Sequence, residues 1–180
     1  MSATLDADRV AAFISADDPA ERAPVIECPG RVFPVETSYR PLSANTRWEV
    51  EFADLVAGLL PGADGDVLAF LPGVQEIERV GARLAAQPAA ATAGIEVFPL
   101  HGSLPLERQQ AVLRPRDPGA GRRVVLATSI AETSLTVPGI RLVVDAGWAR
   151  TTELHHATGL ERLVTARVSA SSADQRRGRA

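Results

Sequence analysis

Within one hexapeptide, Gln175-Arg176-Arg177-Gly178-Arg179-Ala180, the sequence gathers three guanidinium groups and an amide. Guanidinium forks hold carboxylate or phosphate oxygens in pairs and steady a phosphoryl group in transit. A solvated basic tail is the plain alternative, and composition alone prefers it. A second set, Thr128-Ser129-Ile130-Ala131-Glu132-Thr133-Ser134, follows an apolar run. It joins several hydroxyls to the backbone N–H groups of a starting helix, which suits phosphate oxygens. Its competitor is a helix cap, with Thr128 or Ser129 capping and Glu132 reaching back. The two are compatible, and caps are the commoner. Asp145 closes an apolar strand before Ala146-Gly147. It stands either to aim a carboxylate into a crevice or to brace its own turn. His101-Gly102 has no nearby cysteine or convincing acid, so a sharp turn permitted by glycine is the better reading. His155-His156 reads as solvated loop.

Composition narrows the classes. The chain has 180 residues, 46% apolar and 23% charged, which suits one well-buried domain and excludes wholesale disorder. A formal net charge of -3 argues against coating nucleic acid by bulk positive charge, though not against a local basic face. No lysine occurs, so a phosphate-binding P-loop lysine cannot come from this chain. The single cysteine, Cys28, excludes an internal disulfide and a cysteine-based zinc site, and fits a reducing, cytoplasmic compartment. The three histidines lack metal-ligand spacing, and every apolar run is far short of a membrane span.

The elements that must position these residues follow from periodicity. A short helix is predicted over Ala7 to Ile14, with Val10, Phe13 and Ile14 on one face, stopped by Asp17-Asp18-Pro19. Arg31 to Tyr39 reads as an extended or edge segment, because Pro34 cannot donate to a central ladder. Residues 1 to 44 therefore read as a strap. A helix is predicted from about Asn45 to Leu60, with Trp48, Phe52, Leu55, Val56 and Leu59 recurring at three and four. Strands follow at Val67–Leu71, Ile95–Leu100, Arg123–Ala127 and Ile140–Val144. Two helices lie between them, one after Pro72-Gly73 and one from Pro105 to about Leu113. In the first, Val74, Ile77, Val80 and Leu84 point inward, while Gln75, Glu76, Glu78, Arg79 and Arg83 face water. This rhythm is that of a parallel α/β sheet covered on both faces. After Gly147 it breaks, and residues 150 to 168 suggest a small hairpin. Leu71-Pro72-Gly73, Leu100-His101-Gly102-Ser103 and Thr128 to Ser134 sit just beyond strand ends, where such sheets bind ligands.

Taken in order, these phrases resemble the DEAH/RHA helicases. Val67-Leu68-Ala69-Phe70-Leu71-Pro72-Gly73 with Glu76-Ile77, then Leu100-His101-Gly102-Ser103-Leu104, are similar to the opening of the second RecA-like domain. Ala127 to Thr136 resembles helicase motif V, and Gln175 to Ala180 the front of motif VI. Ser2-Ala3-Thr4 resembles motif III, which normally lies near the end of the first RecA-like domain. Ser129 and the Phe-Leu-Pro-Gly phrase bring the chain nearest to the bacterial HrpB-type branch.

The resemblance implies a RecA-like parallel sheet over residues 45–180, preceded over 1–44 by the end of the first RecA-like domain and a linker. It implies that Thr128 touches the nucleic-acid backbone, and that Ser134, Thr136 and Asp145 lie toward the nucleotide. Arg179 is expected as an arginine finger, with Gln175 and Arg176 beside the γ-phosphate and its water. Pro138 stands where relatives usually carry an acid near the ribose. The P-loop and the Asp-Glu-Ala-His box belong before Ser2, and the second finger after Ala180. On this reading the chain is cut at both ends and inactive alone. ATP, Mg²⁺, an RNA or DNA strand and the missing first RecA-like domain are then properties of the intact parent. A non-catalytic α/β binding module and an inert truncated gene product are the rivals.

Overall fold

The computed structural model describes residues 6–15, 23–27, 33–43, 48–62, 64–88, 94–117, 119–133, 135–156 and 158–180. Ser2-Ala3-Thr4, Cys28 and Ser134 lie outside the described residues. Two compact units divide the chain, residues 1–36 and 37–180.

In the first unit, α1 spans Ala7–Ile14, as its pattern predicts. Asp6 caps it, its Oδ1 accepting the Arg9 N–H at 3.0 Å. The expected apolar stripe lies open: Phe13 and Ile14 are 82% and 68% exposed. Residues 33–43, which run from this unit into the second, take no helix or strand, so the extended segment expected there joins no described sheet.

The second unit is built on four parallel strands: β1 (Asp66–Phe70), β2 (Glu96–Leu100), β3 (Arg123–Ala127) and β4 (Ile140–Asp145). Their spatial order is β2-β3-β1-β4. Alternation along β1 sends Val67 and Ala69 to one face and Leu68 and Phe70 to the other. Helices α2 (Trp48–Leu59) and α3 (Val74–Ala85) cover the first face, through Phe52, Val56, Ile77, Val80 and Leu84. The second face is covered by Val112 of α4 (Leu106–Leu113) and by Ala131 and Val137 of the segment after β3. All five residues of β1 and of β3 are buried, as continuous apolar strands require. Glu76, expected to face water, instead pairs with Arg150 at 3.4 Å, across the approach where a Cβ on Gly73 would meet the Arg150 Cζ at 2.6 Å.

Charge at the amino ends of the strands is tied up as well. Asp66 and Arg123, 7% and 3% exposed, open β1 and β3. The Arg123 Nε–H meets Asp66 Oδ2, and its backbone N–H donates to Oδ1 at 2.9 Å. Its Nη1 donates to the Val112 carbonyl at 2.7 Å, and Nη2 donates to that of Pro138. One guanidinium thus binds two strands, the end of α4 and the turn before β4.

From Gly147 the chain leaves the sheet. Strands β5 (Trp148–His155) and β6 (Leu160–Arg167) form an antiparallel hairpin, longer and more regular than predicted. Helix α5 (Ala170–Arg177) follows, where a bare basic tail was the competing reading. Ser169 caps it, its Oγ accepting the Ser172 N–H at 3.1 Å. No described helix is long and apolar enough to cross a membrane.

Candidate functional site

The carboxyl ends of the strands are knit into one edge. Leu71 N–H donates to Ala127 O at 2.8 Å, Thr128 N–H to Leu100 O at 3.1 Å, and Ala146 N–H to Phe70 O at 3.1 Å. Beyond β3, the predicted helix start is a single 3₁₀ turn, Ser129–Ala131, and Thr128 makes no side-chain cap bond to it. The Glu132 carboxylate does not reach back either. It receives the Arg176 Nε–H at 3.1 Å. The capping-box reading therefore fails, because an arginine from α5 competes for the same carboxylate and a charge-assisted bond is the stronger.

Arg176 is the centre of this edge. It is 1% exposed, with Nε on Glu132 and Nη1 on Asp145 Oδ1 at 2.7 Å. Its guanidinium lies 4.8 Å from the Phe70 ring centroid, and Nη1 also approaches the Trp148 carbonyl at 3.5 Å. A cation so deeply buried stands only where carboxylates and further acceptors surround it. The expectation that Arg176 lies beside a phosphate meets a guanidinium held between two carboxylates. Nη2 is buried without a hydrogen-bond acceptor among the described residues.

Arg179, half-buried and one turn farther on, takes a different kind of acceptor. Its Nε and Nη2 donate to the Glu132 main-chain carbonyl at 3.0 and 2.6 Å, and Nη1 to the Leu135 carbonyl at 3.2 Å. None of these acceptors carries formal charge. A phosphate oxygen is a stronger acceptor for a guanidinium than a neutral carbonyl, so Arg179 can exchange partners more cheaply than Arg176.

The remaining expected residues fall around this pair. Asp145 Oδ1 accepts the Gly147 N–H at 2.8 Å, bracing the turn, and also the Arg176 Nη1–H at 2.7 Å. Thr136 is exposed, next to Leu135. Thr128 is half-buried at the carboxyl end of β3, and Gln175 half-buried on the last turn of α5. Ser134 lies outside the described residues. Glu132 and Phe70 were missed as partners. Periodicity had placed Phe70 in the core and cap statistics had used up Glu132, and no local signal links either to a residue more than forty positions away. Among the described residues, no group of three or more His, Cys, Asp or Glu could hold a metal ion.

A family model described as the helicase conserved C-terminal domain matches residues 51–180. The chain belongs to that family. It is 46% identical over 180 residues to the Escherichia coli (strain K12) ATP-dependent RNA helicase HrpB, covering 100% of this chain and 21% of that protein. To the HrpA ATP-dependent RNA helicase of the same strain it is 37% identical over 184 residues, covering 99% of this chain and 13% of that one. The crystal structure of the E. coli DExH-box NTPase HrpB matches with a TM-score of 0.83 at 45% identity, over 99% of this chain and 21% of that one. A crystal structure of the E. coli DEAH/RHA helicase HrpB matches at 0.82 and 46%, over 99% and 22%. The DEAH/RHA resemblance and the RecA-like fold are thereby borne out. The chain spans about a fifth of the length of the HrpB proteins it matches.

Proposed function

We propose that this chain supplies the second RecA-like half of an ATP-dependent RNA helicase motor: the arginine side of the nucleotide site and part of the grip on the strand. Residues 45–180 form that half, and residues 1–44 end the first half and link the two. One observation carries the reading: Arg179 projects from the end of α5 onto neutral carbonyls of the loop after β3, at the carboxyl edge of a parallel sheet. That is where such sheets meet ligands, and such contacts can be exchanged for phosphate. The names of the relatives favour RNA as the strand and ATP as the fuel.

Each role follows from the chemistry of the residue. Arg179 stabilises charge on the phosphoryl group as it transfers, and Gln175, four residues before it, orients toward the same oxygens. Thr128 contacts the strand backbone, while Ser134, Thr136 and Asp145 border the nucleotide. Arg176 shapes this edge from within. No lysine occurs in the chain, so a P-loop lysine has to come from another half, and we assign the phosphate cradle and the Mg²⁺ ligands to that half. When bound, Mg²⁺ would neutralise phosphate charge at that other half. The setting is cytoplasmic.

The test is Arg179→Ala in a polypeptide that joins this chain to its P-loop half. Turnover of ATP should fall by a factor on the order of 10³ to 10⁵, the usual worth of an arginine finger. Unchanged turnover would contradict the assignment.

A further inference from the structure

We propose that Glu132 is a positioning residue, which sets through Arg176 where the Arg179 guanidinium stands. The inference rests on the reading of Arg179 as the group that meets phosphate, and deepens it.

The geometry runs through one side chain. Arg176 belongs to the last turn of α5, and four separate pieces of chain hold it. Glu132 comes from the loop after β3, Asp145 from the end of β4, Trp148 from the start of β5 and Phe70 from the end of β1. Arg179 continues the same turn, its N–H donating to the Arg176 carbonyl at 3.1 Å. Its side chain then returns to the carbonyl of Glu132, the residue whose carboxylate already holds Arg176. Residue 132 is thus gripped twice, by its side chain and by its main chain, from two arginines one helical turn apart. Any shift of the loop after β3 is carried to both.

Strength separates the two grips. Arg176 is buried and bonded to two carboxylates, and breaking such a cluster leaves an uncompensated charge inside the protein. Arg179 holds neutral carbonyls and is half-exposed. The first grip is therefore the fixed point, and the second is the moving part whose starting position it defines. Removing the Glu132 charge weakens the tie between the loop and Arg176 and leaves the neutral carbonyl contacts of Arg179 to hold the loop. The Arg179 guanidinium then loses its register, while nothing that would hold nucleotide or RNA is removed. A misplacement of about 1 Å can cost a rate on the order of 10²-fold.

A double-mutant cycle on the joined polypeptide tests this, reading single-turnover ATP hydrolysis with RNA present so that slow variants are measurable. Glu132→Gln should lower the maximal rate about 10- to 100-fold, with half-saturation for ATP and RNA changed less than about threefold. In the Arg179→Ala background the same substitution should slow the reaction by less than about twofold, because its effect passes through Arg179. An equal factor in both backgrounds would overturn the inference while leaving Arg179 in its role. Wild-type turnover in Arg179→Ala alone would overturn the reading of Arg179, and this inference with it. If melting shows that Glu132→Gln does not fold, the cycle is run with Glu132→Asp, which keeps the charge but shortens its reach to Arg176, and the same non-additivity is expected.

Discussion

Arg176 and Arg179 stand three residues apart and take opposite kinds of acceptor, and a third arginine, Arg123, repeats the buried kind at the far end of the sheet. The chemistry of the carboxylates decides each case. Asp66→Ala leaves the Arg123 charge buried and half-satisfied, so unfolding free energy in a urea titration should fall by about 3–5 kcal/mol. An apolar pair at the two positions, Asp66→Leu with Arg123→Met, should recover only part of this. The carbonyls of Val112, Arg114 and Pro138 would lose the donor they now share. A drop below about 1 kcal/mol for Asp66→Ala would mean that water reaches Arg123. Little of this was legible beforehand. A charged residue opening an otherwise apolar strand was the available signal, at Asp66 and again at Arg123, but sequence spacing alone does not pair residues fifty-seven positions apart.

At the scale of elements, the strands and the three flanking helices were legible because hydrophobic period and turn residues agree along their length. Trp48, Phe52 and Val56 recur at helical spacing, and the runs beginning at Val67 and Arg123 are continuous, so burial on one or both faces follows. Helix α5 was missed for a physical reason. It buries almost nothing apolar, and tertiary ion pairs rather than an amphipathic stripe hold it, so periodicity is blind to it. Its visible sign was the cap at Ser169. Ser169→Ala should cost about 0.5–2 kcal/mol of local stability. Amide exchange should show this as faster exchange over Ala173–Arg177, and unchanged protection there would count against the cap. The hairpin offers the opposite case. Leu154 and Leu163 are 50% and 64% exposed, so Leu163→Ser should shift unfolding free energy by no more than about 0.5 kcal/mol. Phe70→Ala, at 0% exposure and beneath Arg176, should cost about 3–5 kcal/mol in the same assay.

For the whole molecule, fold and family could be reached from ordered motifs, whereas the working geometry of the site could not. The motifs place residues at strand ends, but they do not say which arginine faces carboxylates and which faces carbonyls. That distinction arises from contacts between positions 132 and 179, made only once the fold brings α5 back to the loop after β3 and the end of β4. We propose that this chain carries one side of a nucleotide site and needs the other side to turn over ATP. Phosphate release with Mg²⁺ and RNA, from the highly purified chain and from the chain joined to its P-loop half, tests it most directly. Background release is expected from the chain alone and RNA-stimulated release from the joined polypeptide, abolished by Arg179→Ala. Turnover by the chain alone that disappears in Arg179→Ala would contradict it, because a complete phosphate cradle would then lie within these 180 residues.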